Sequence, residues 1–128
     1  MITKEYEMFY FDDKTFITLC KQIEREIKAM PGHTNDNIND LRLAYQKFEL
    51  FLTVYYQSCK REDIDYKTDL RLEIVSDINQ MSEQDETGEI TKDFYTEHFL
   101  NAKDKLGRVI EDIIYQITIH NLARKPAD

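Results

Sequence analysis

From Phe94 to Leu122 an apolar side chain returns every three or four residues: Phe94, His98 or Phe99, Ala102, Leu106, Val109, Ile110, Ile113, Ile117 and Leu122. That period belongs to an amphipathic helix, and a run of this length fits no ordinary strand. The sequence therefore predicts a long helix that opens after Thr91 and ends before Pro126. Three shorter segments upstream carry the same signal. Phe16, Leu19, Cys20, Ile23, Ile27 and Met30 form one stripe that starts near Asp12 or Asp13, either of which can cap it, and stops ahead of Pro31 and Gly32. A second helix is expected from about Asn37 to Arg61. Ile38, Leu41, Tyr45, Phe48, Leu52, Tyr55 and Cys59 lie on one face of it, and Leu43, Leu50, Phe51 and Val54 widen that face toward several neighbours. A third helix is expected from about Asp65 to Ser82, with Tyr66, Leu70, Ile74, Ile78 and Met81 inward and Leu72 and Val75 at the margin. With only three glycines and two prolines among 128 residues, little is left over for turns, and the expected fold is all-α, an antiparallel bundle of about four helices in a single domain. Residues 1–11 could be an extended arm or an extra helical turn.

The net charge of −8 is concentrated in one segment. Residues 1–61 hold nine acids and nine bases, and residues 90–128 hold six of each. Residues 62–89 hold ten acids against Lys67 and Arg71. Asp65, Asp69, Glu73 and Asp77 recur every fourth residue, which would stack them along one side of a helix and cost about 0.2–0.5 kcal/mol per like-charged pair. A solvated helix face explains such a run, and so does a docking face for a basic protein, whose encounter a fixed negative field would accelerate. We take the docking face as the candidate site, with Glu83, Asp85 and Glu86 extending it through a polar stretch from Glu83 to Glu89 that reads as a mobile loop.

Other chemistries find little support. The Glu83–Thr91 segment is similar to a calcium loop with Gly88 in sixth place, but that register puts Phe94 where a bidentate Glu is required. His33, His98 and His120 are far apart, and neither His-Glu-x-x-His nor Glu-x-x-His occurs, so no metal or cofactor is expected. No Gly-rich phosphate loop or Gly-x-Ser-x-Gly elbow occurs, and the chain reads as a non-enzyme, although a carboxylate pair needs no motif to act as acid and base. Direct nucleic-acid binding lacks the basic patch it needs. Cys20 and Cys59 sit at apolar helical positions and read as small hydrophobes. Acids scattered through residues 1–30 argue against a signal peptide, and no stretch approaches a membrane span, so we expect a cytoplasmic protein.

The order Phe11-Asp12-Asp13-Lys14-Thr15-Phe16-Ile17, then Tyr45-Gln46-Lys47-Phe48-Glu49-Leu50-Phe51-Leu52, then Tyr55-Tyr56-Gln57-Ser58 ahead of an acidic third helix, resembles the helical N-terminal region of PoNi-type bacterial immunity proteins over residues 9–81. The resemblance implies an antitoxin-like inhibitor whose partner is a secreted nuclease toxin. It brings no binding residue with it, so the candidate interface comes from charge alone. The alternative from a different class is a structural or adaptor bundle that self-associates as a homodimer through surplus apolar surface on the second or fourth helix.

Overall fold

The computed structural model describes residues 10–30, 35–87 and 92–124, with side chains given for 10–30, 38–82 and 97–123. The first nine residues, including most of the proposed arm, lie outside the described part. Four helices follow one another: α1 (Asp13–Lys28), α2 (Asn35–Cys59), α3 (Thr68–Thr87) and α4 (Lys92–Arg124).

Each boundary has a local cause. Asp12 rather than Asp13 caps α1, its Oδ1 accepting a hydrogen bond from the Thr15 backbone N–H at 2.7 Å. Hydrogen bonding from the Thr15 side chain first, and then from this backbone N–H, lowers the pKa of the Asp12 carboxyl. α2 ends at Cys59 because Lys60 takes a left-handed backbone, φ 48°, with its N–H bonded to the Tyr56 carbonyl at 2.7 Å. Arg61, expected inside the helix, is thereby turned under the end of the bundle.

The expected start of the third helix at Asp65 needs correction. Lys67 is also left-handed, φ 56°, and its N–H donates to Asp65 Oδ1 at 2.9 Å, so this Asx turn delays α3 to Thr68. The far end needs correction as well. The expected loop from Glu83 is helical through Thr87, since Glu and Gln propagate a helix well and no breaker comes before Gly88.

Hydrogen bonds between helices set their directions. Lys47 near the middle of α2 reaches Glu26 late in α1 at 3.0 Å, and Tyr55 late in α2 reaches Asp13 at the start of α1 at 2.6 Å. Arg71 early in α3 bonds Glu49 of α2 at 2.9 Å, while Arg42 bonds Ser82. Asn121 late in α4 bonds Asp13 at 2.8 Å, and Lys103 early in α4 bonds the Met30 carbonyl beyond the end of α1 at 3.0 Å. Every sequential pair is therefore antiparallel, and α4 returns to pack along α1. The helices close a ring in which α1 and α3 do not touch and stand on opposite sides.

The core runs the length of this ring. Phe16 stacks on Tyr55 with centroids 4.3 Å apart, and Ile23, Ile27, Leu41, Phe48, Ile74, Met81, Phe99, Leu106, Ile110 and Ile113 are sealed from solvent around them. Phe99, not His98, takes the inward place on α4. The widened face expected for α2 is only partly used, because Leu43 and Leu50 are more than half exposed. Leu72 of α3 and Leu122 of α4 are likewise exposed. A ring of four gives each helix two flanks and one inner stripe, which leaves the fourth side of α2 facing water. Among the described residues no helix is long and apolar enough to cross a membrane.

Candidate functional site

The acids singled out from the sequence divide between three settings. Asp65 is exposed in the turn before α3 and fastened to α4 at both backbone atoms. Its N–H donates to Gln116 Oε1 at 2.7 Å, and its carbonyl accepts from Gln116 Nε2 at 2.8 Å. The Lys67 N–H lowers the pKa of the Asp65 carboxyl. Asp69 and Glu73 lie one turn apart on the solvent side of α3. Asp77 faces α4, with a side chain only 15% exposed, 2.9 Å from Lys105 Nζ and 3.8 Å from His98 Nδ1. The expected row of four carboxylates is thus a row of two, with Asp65 below it and Asp77 turned into the helix seam. Glu83, Asp85 and Glu86 have helical backbone, and their side chains fall outside the described residues.

The cations on this side are shared. Lys67 Nζ lies between Asp65 at 3.5 Å and Asp112 of α4 at 3.7 Å. Lys105 Nζ lies between Asp77 at 2.9 Å and Glu73 at 3.9 Å. Each lysine thus serves two carboxylates, and Asp69 stands with no ion-pair partner among the described residues. Asp65, Asp69 and Glu73 line one shallow groove of about 420 Å³ with Lys67, Thr68 and Leu70. Leu72, 62% exposed, stands beside Glu73. This surface is anionic in excess, with an apolar side chain at its edge.

The opposite side carries the reverse sign. Lys14, Lys21 and Arg25 are exposed on α1, and Lys28 follows at 65% exposure. The two acids inside this helix beyond its first turn lie on its flanks: Glu26 is bonded to Lys47 of α2 at 3.0 Å, and Glu24 lies against Lys28 and Glu111 of α4. A formal count over residues 1–61 is neutral and hides this segregation. The spacing of seven, four and three between these bases, out of phase with the apolar stripe, was the signal that could have found it.

A third polar group sits at the end of the bundle where α1 begins. The Arg61 side chain is 7% exposed. Its Nε and Nη2 donate to the two Asp63 oxygens at 2.9 and 3.0 Å, and its Nη1 donates to Asp13 at 3.3 Å and Asn121 at 3.2 Å. His120 Nδ1 lies 3.0 Å from Asp63 Oδ2, and the Tyr66 hydroxyl donates to the Arg61 carbonyl. The hydrogen bonds to Asp63 push the Arg61 pKa further up, while burial and the Asp13 carboxylate raise that of Tyr55. The Arg61 fork is directed at acceptors of its own chain, so the cluster fastens the end of α2 and the following turn to α1 and α4.

The remaining chemistry is muted. Among the described residues no three His, Cys, Asp or Glu side chains converge as metal ligands. Both cysteines are free, and burial pushes the Cys20 thiol up to about 12. Compared with family models, with curated proteins and with solved structures, the chain matches none.

Proposed function

We propose that this protein is a non-catalytic binding domain that docks the α3 surface, with the adjoining edge of α4, onto a basic protein. The observation that carries the reading is the unbalanced charge of that surface: among the described residues, Asp65, Asp69, Glu73, Asp77 and Asp112 have two lysines beside them, Lys67 and Lys105, both already shared, and His98 3.8 Å from Asp77. An excess of fixed carboxylates at this density costs self-repulsion in the free protein, and a cationic partner relieves it. Leu72, 62% exposed at the edge of this surface, adds an apolar contact beside the charges.

The resemblance to PoNi-type immunity proteins supplies a partner class. On that reading the target is a secreted nuclease toxin, whose substrate cleft must be cationic to hold phosphates, and the protein protects its producer from within the cytosol by occupying that cleft. Reversal of Asp69 and Glu73 to lysine tests the proposal. In a pull-down from native lysate at low salt, the wild-type chain should retain a basic protein in stoichiometric amount and release it at high salt. The doubly reversed chain should retain at most about a tenth as much, the loss expected when close charge pairs across an interface become repulsive. Equal retention by the two chains would sink the proposal.

A further inference from the structure

On the outer face of α1 the bases Lys14, Lys21 and Arg25 stand in a row, with Glu24 and Glu26 on the flanks. Lys14, Lys21 and Arg25 project to solvent with no ion-pair partner among the described residues, in a chain whose net charge is −8. A cationic face in an acidic protein needs an anionic occupant to be of use, and this molecule carries a matching one on its other side. α1 and α3 make no contact in the ring, so the two faces lie on different sides of the bundle. Their spacing agrees as well. Lys21 and Arg25 are four residues apart on α1, and Asp69 and Glu73 are four apart on α3, each pair separated by about 6 Å along its axis. Leu72, exposed to one side of the two acids, would meet the methylene stems of the facing cations, which can cover apolar surface while their charges reach outward.

We infer that the occupant of the α1 face is a second copy of this chain, docked through its α3 face, so that the protein associates head to tail. The inference rests on the proposed role of α3 as an interaction surface and extends it by naming a partner. Faces on different sides of the bundle do not meet each other in one two-fold contact, since a two-fold axis through either face sets α1 on α1 or α3 on α3 with like charges together. The association is therefore heterologous, adds copies one after another, and does not stop at a dimer. Exposed ion pairs contribute little each and are screened within about 8–10 Å at ordinary ionic strength, so the assembly is weak and salt-sensitive. A short row of cations beside so many carboxylates would hold a polyanion such as nucleic acid poorly, which favours a carboxylate-bearing protein surface as the ligand.

Sedimentation equilibrium on the full chain over a range of concentrations tests the inference. At low salt the mean mass of the wild type should climb above the 15.3 kDa of one chain, and at high salt it should return to that value. Lys21→Glu with Arg25→Glu should abolish the climb, as should Asp69→Lys with Glu73→Lys. An equimolar mixture of these two variants should restore it, because each then offers the face the other lacks. All four positions are exposed, and unchanged circular dichroism would show that the variants fold. A wild type that remains at the mass of one chain at every concentration would overturn the inference. So would association that survives α1 reversal or high salt, which would assign the contact to the exposed Leu43 and Leu50 of α2. The α1-reversed chain also separates this inference from the proposal it rests on, since it should still retain the basic partner in a pull-down. Retention without self-association removes only the head-to-tail contact, and self-association without retention removes only the separate partner.

Discussion

The two ends of the bundle are held by different physics. Where α1 begins and α4 finishes, the helices are joined by a buried ionic cluster: Arg61 reaches Asp13, Asp63 and Asn121, and Tyr55 adds a bond to Asp13. Where α1 finishes and α4 begins, the cross-links are separate pairs rather than one cluster, Lys103 to the Met30 carbonyl, Arg42 to Ser82, Asp77 to Lys105 and His98, and Lys28 to Glu111, with Ile27, Met81 and Phe99 filling the space between them. A guanidinium fork accepts partners only in fixed directions, so the first end specifies which helix meets which and in what register. Apolar fill is indifferent to direction and tolerates substitution of similar volume. The contrast teaches that one bundle can divide specificity and bulk stability between its ends.

The contrast breaks first at Arg61. Arg61→Ala leaves the Asp13 and Asp63 carboxylates close together in a partly buried site, and the expected cost is about 3–5 kcal/mol by urea unfolding. Arg61→Lys keeps the charge and loses the fork. An unfolding midpoint equal to that of the wild type would show that charge alone holds this end and that the direction of the fork contributes nothing. At the other end, Ile27→Ala removes sealed methyl and methylene groups and leaves a cavity, for an expected loss of about 2–4 kcal/mol. Ile27→Leu should lose less than about 1.5 kcal/mol, since fill matters there more than shape. Asp12→Ala, which removes the α1 cap beside the ionic cluster but touches none of its bonds, should cost about 1 kcal/mol. A loss as large as that of Arg61→Ala would mean that the cap and the cluster form one cooperative unit.

The apolar end was the more legible in the sequence. Phe16, Cys20, Ile23 and Ile27 on α1, and Ile74, Ile78 and Met81 on α3, sit where their spacing placed them, because helical periodicity is a local property. The ionic end was not legible. Asp13, Arg61, Asp63 and Asn121 meet only after α2 has ended at a left-handed Lys60 and α4 has come back along α1, and no local pattern encodes either event. The start of α3 was misplaced for a related reason. Asp65 falls first in a four-residue rhythm, but its side chain bonds the Lys67 N–H and holds the chain out of the helix. Of the candidate acids, Asp69 and Glu73 stand on the open face of α3 as the rhythm suggested. The burial of Asp77 depends on Lys105, twenty-eight residues away, and was not visible in the rhythm.

The finest test lies at Glu24, a carboxylate of α1 that the ionic end does not reach. Its side chain is 18% exposed, and Lys28 approaches it only to 3.8 Å. Burial first, then the neighbouring Glu111 carboxylate, raise its pKa above the ordinary value. A carboxyl whose folded pKa is raised binds its proton more tightly in the native state than in the unfolded chain. Its contribution to stability therefore grows as pH falls through the folded value and is lost as pH rises through it, so at neutral pH the ionised group is a net cost. Asp12 and Asp65, whose pKa values are lowered, act in the other direction, contributing above the unfolded value and losing that contribution as acid protonates them. Glu24→Gln removes the first effect and leaves the second. The variant should be more stable than the wild type by about 0.5 kcal/mol at pH 7. The difference should shrink toward zero below about pH 4, where Glu24 is protonated in both states of the wild type. A variant less stable at pH 7 would show that Lys28 compensates this carboxylate as fully as Arg61 compensates Asp13, and the two ends would then differ in geometry but not in how well their charges are balanced.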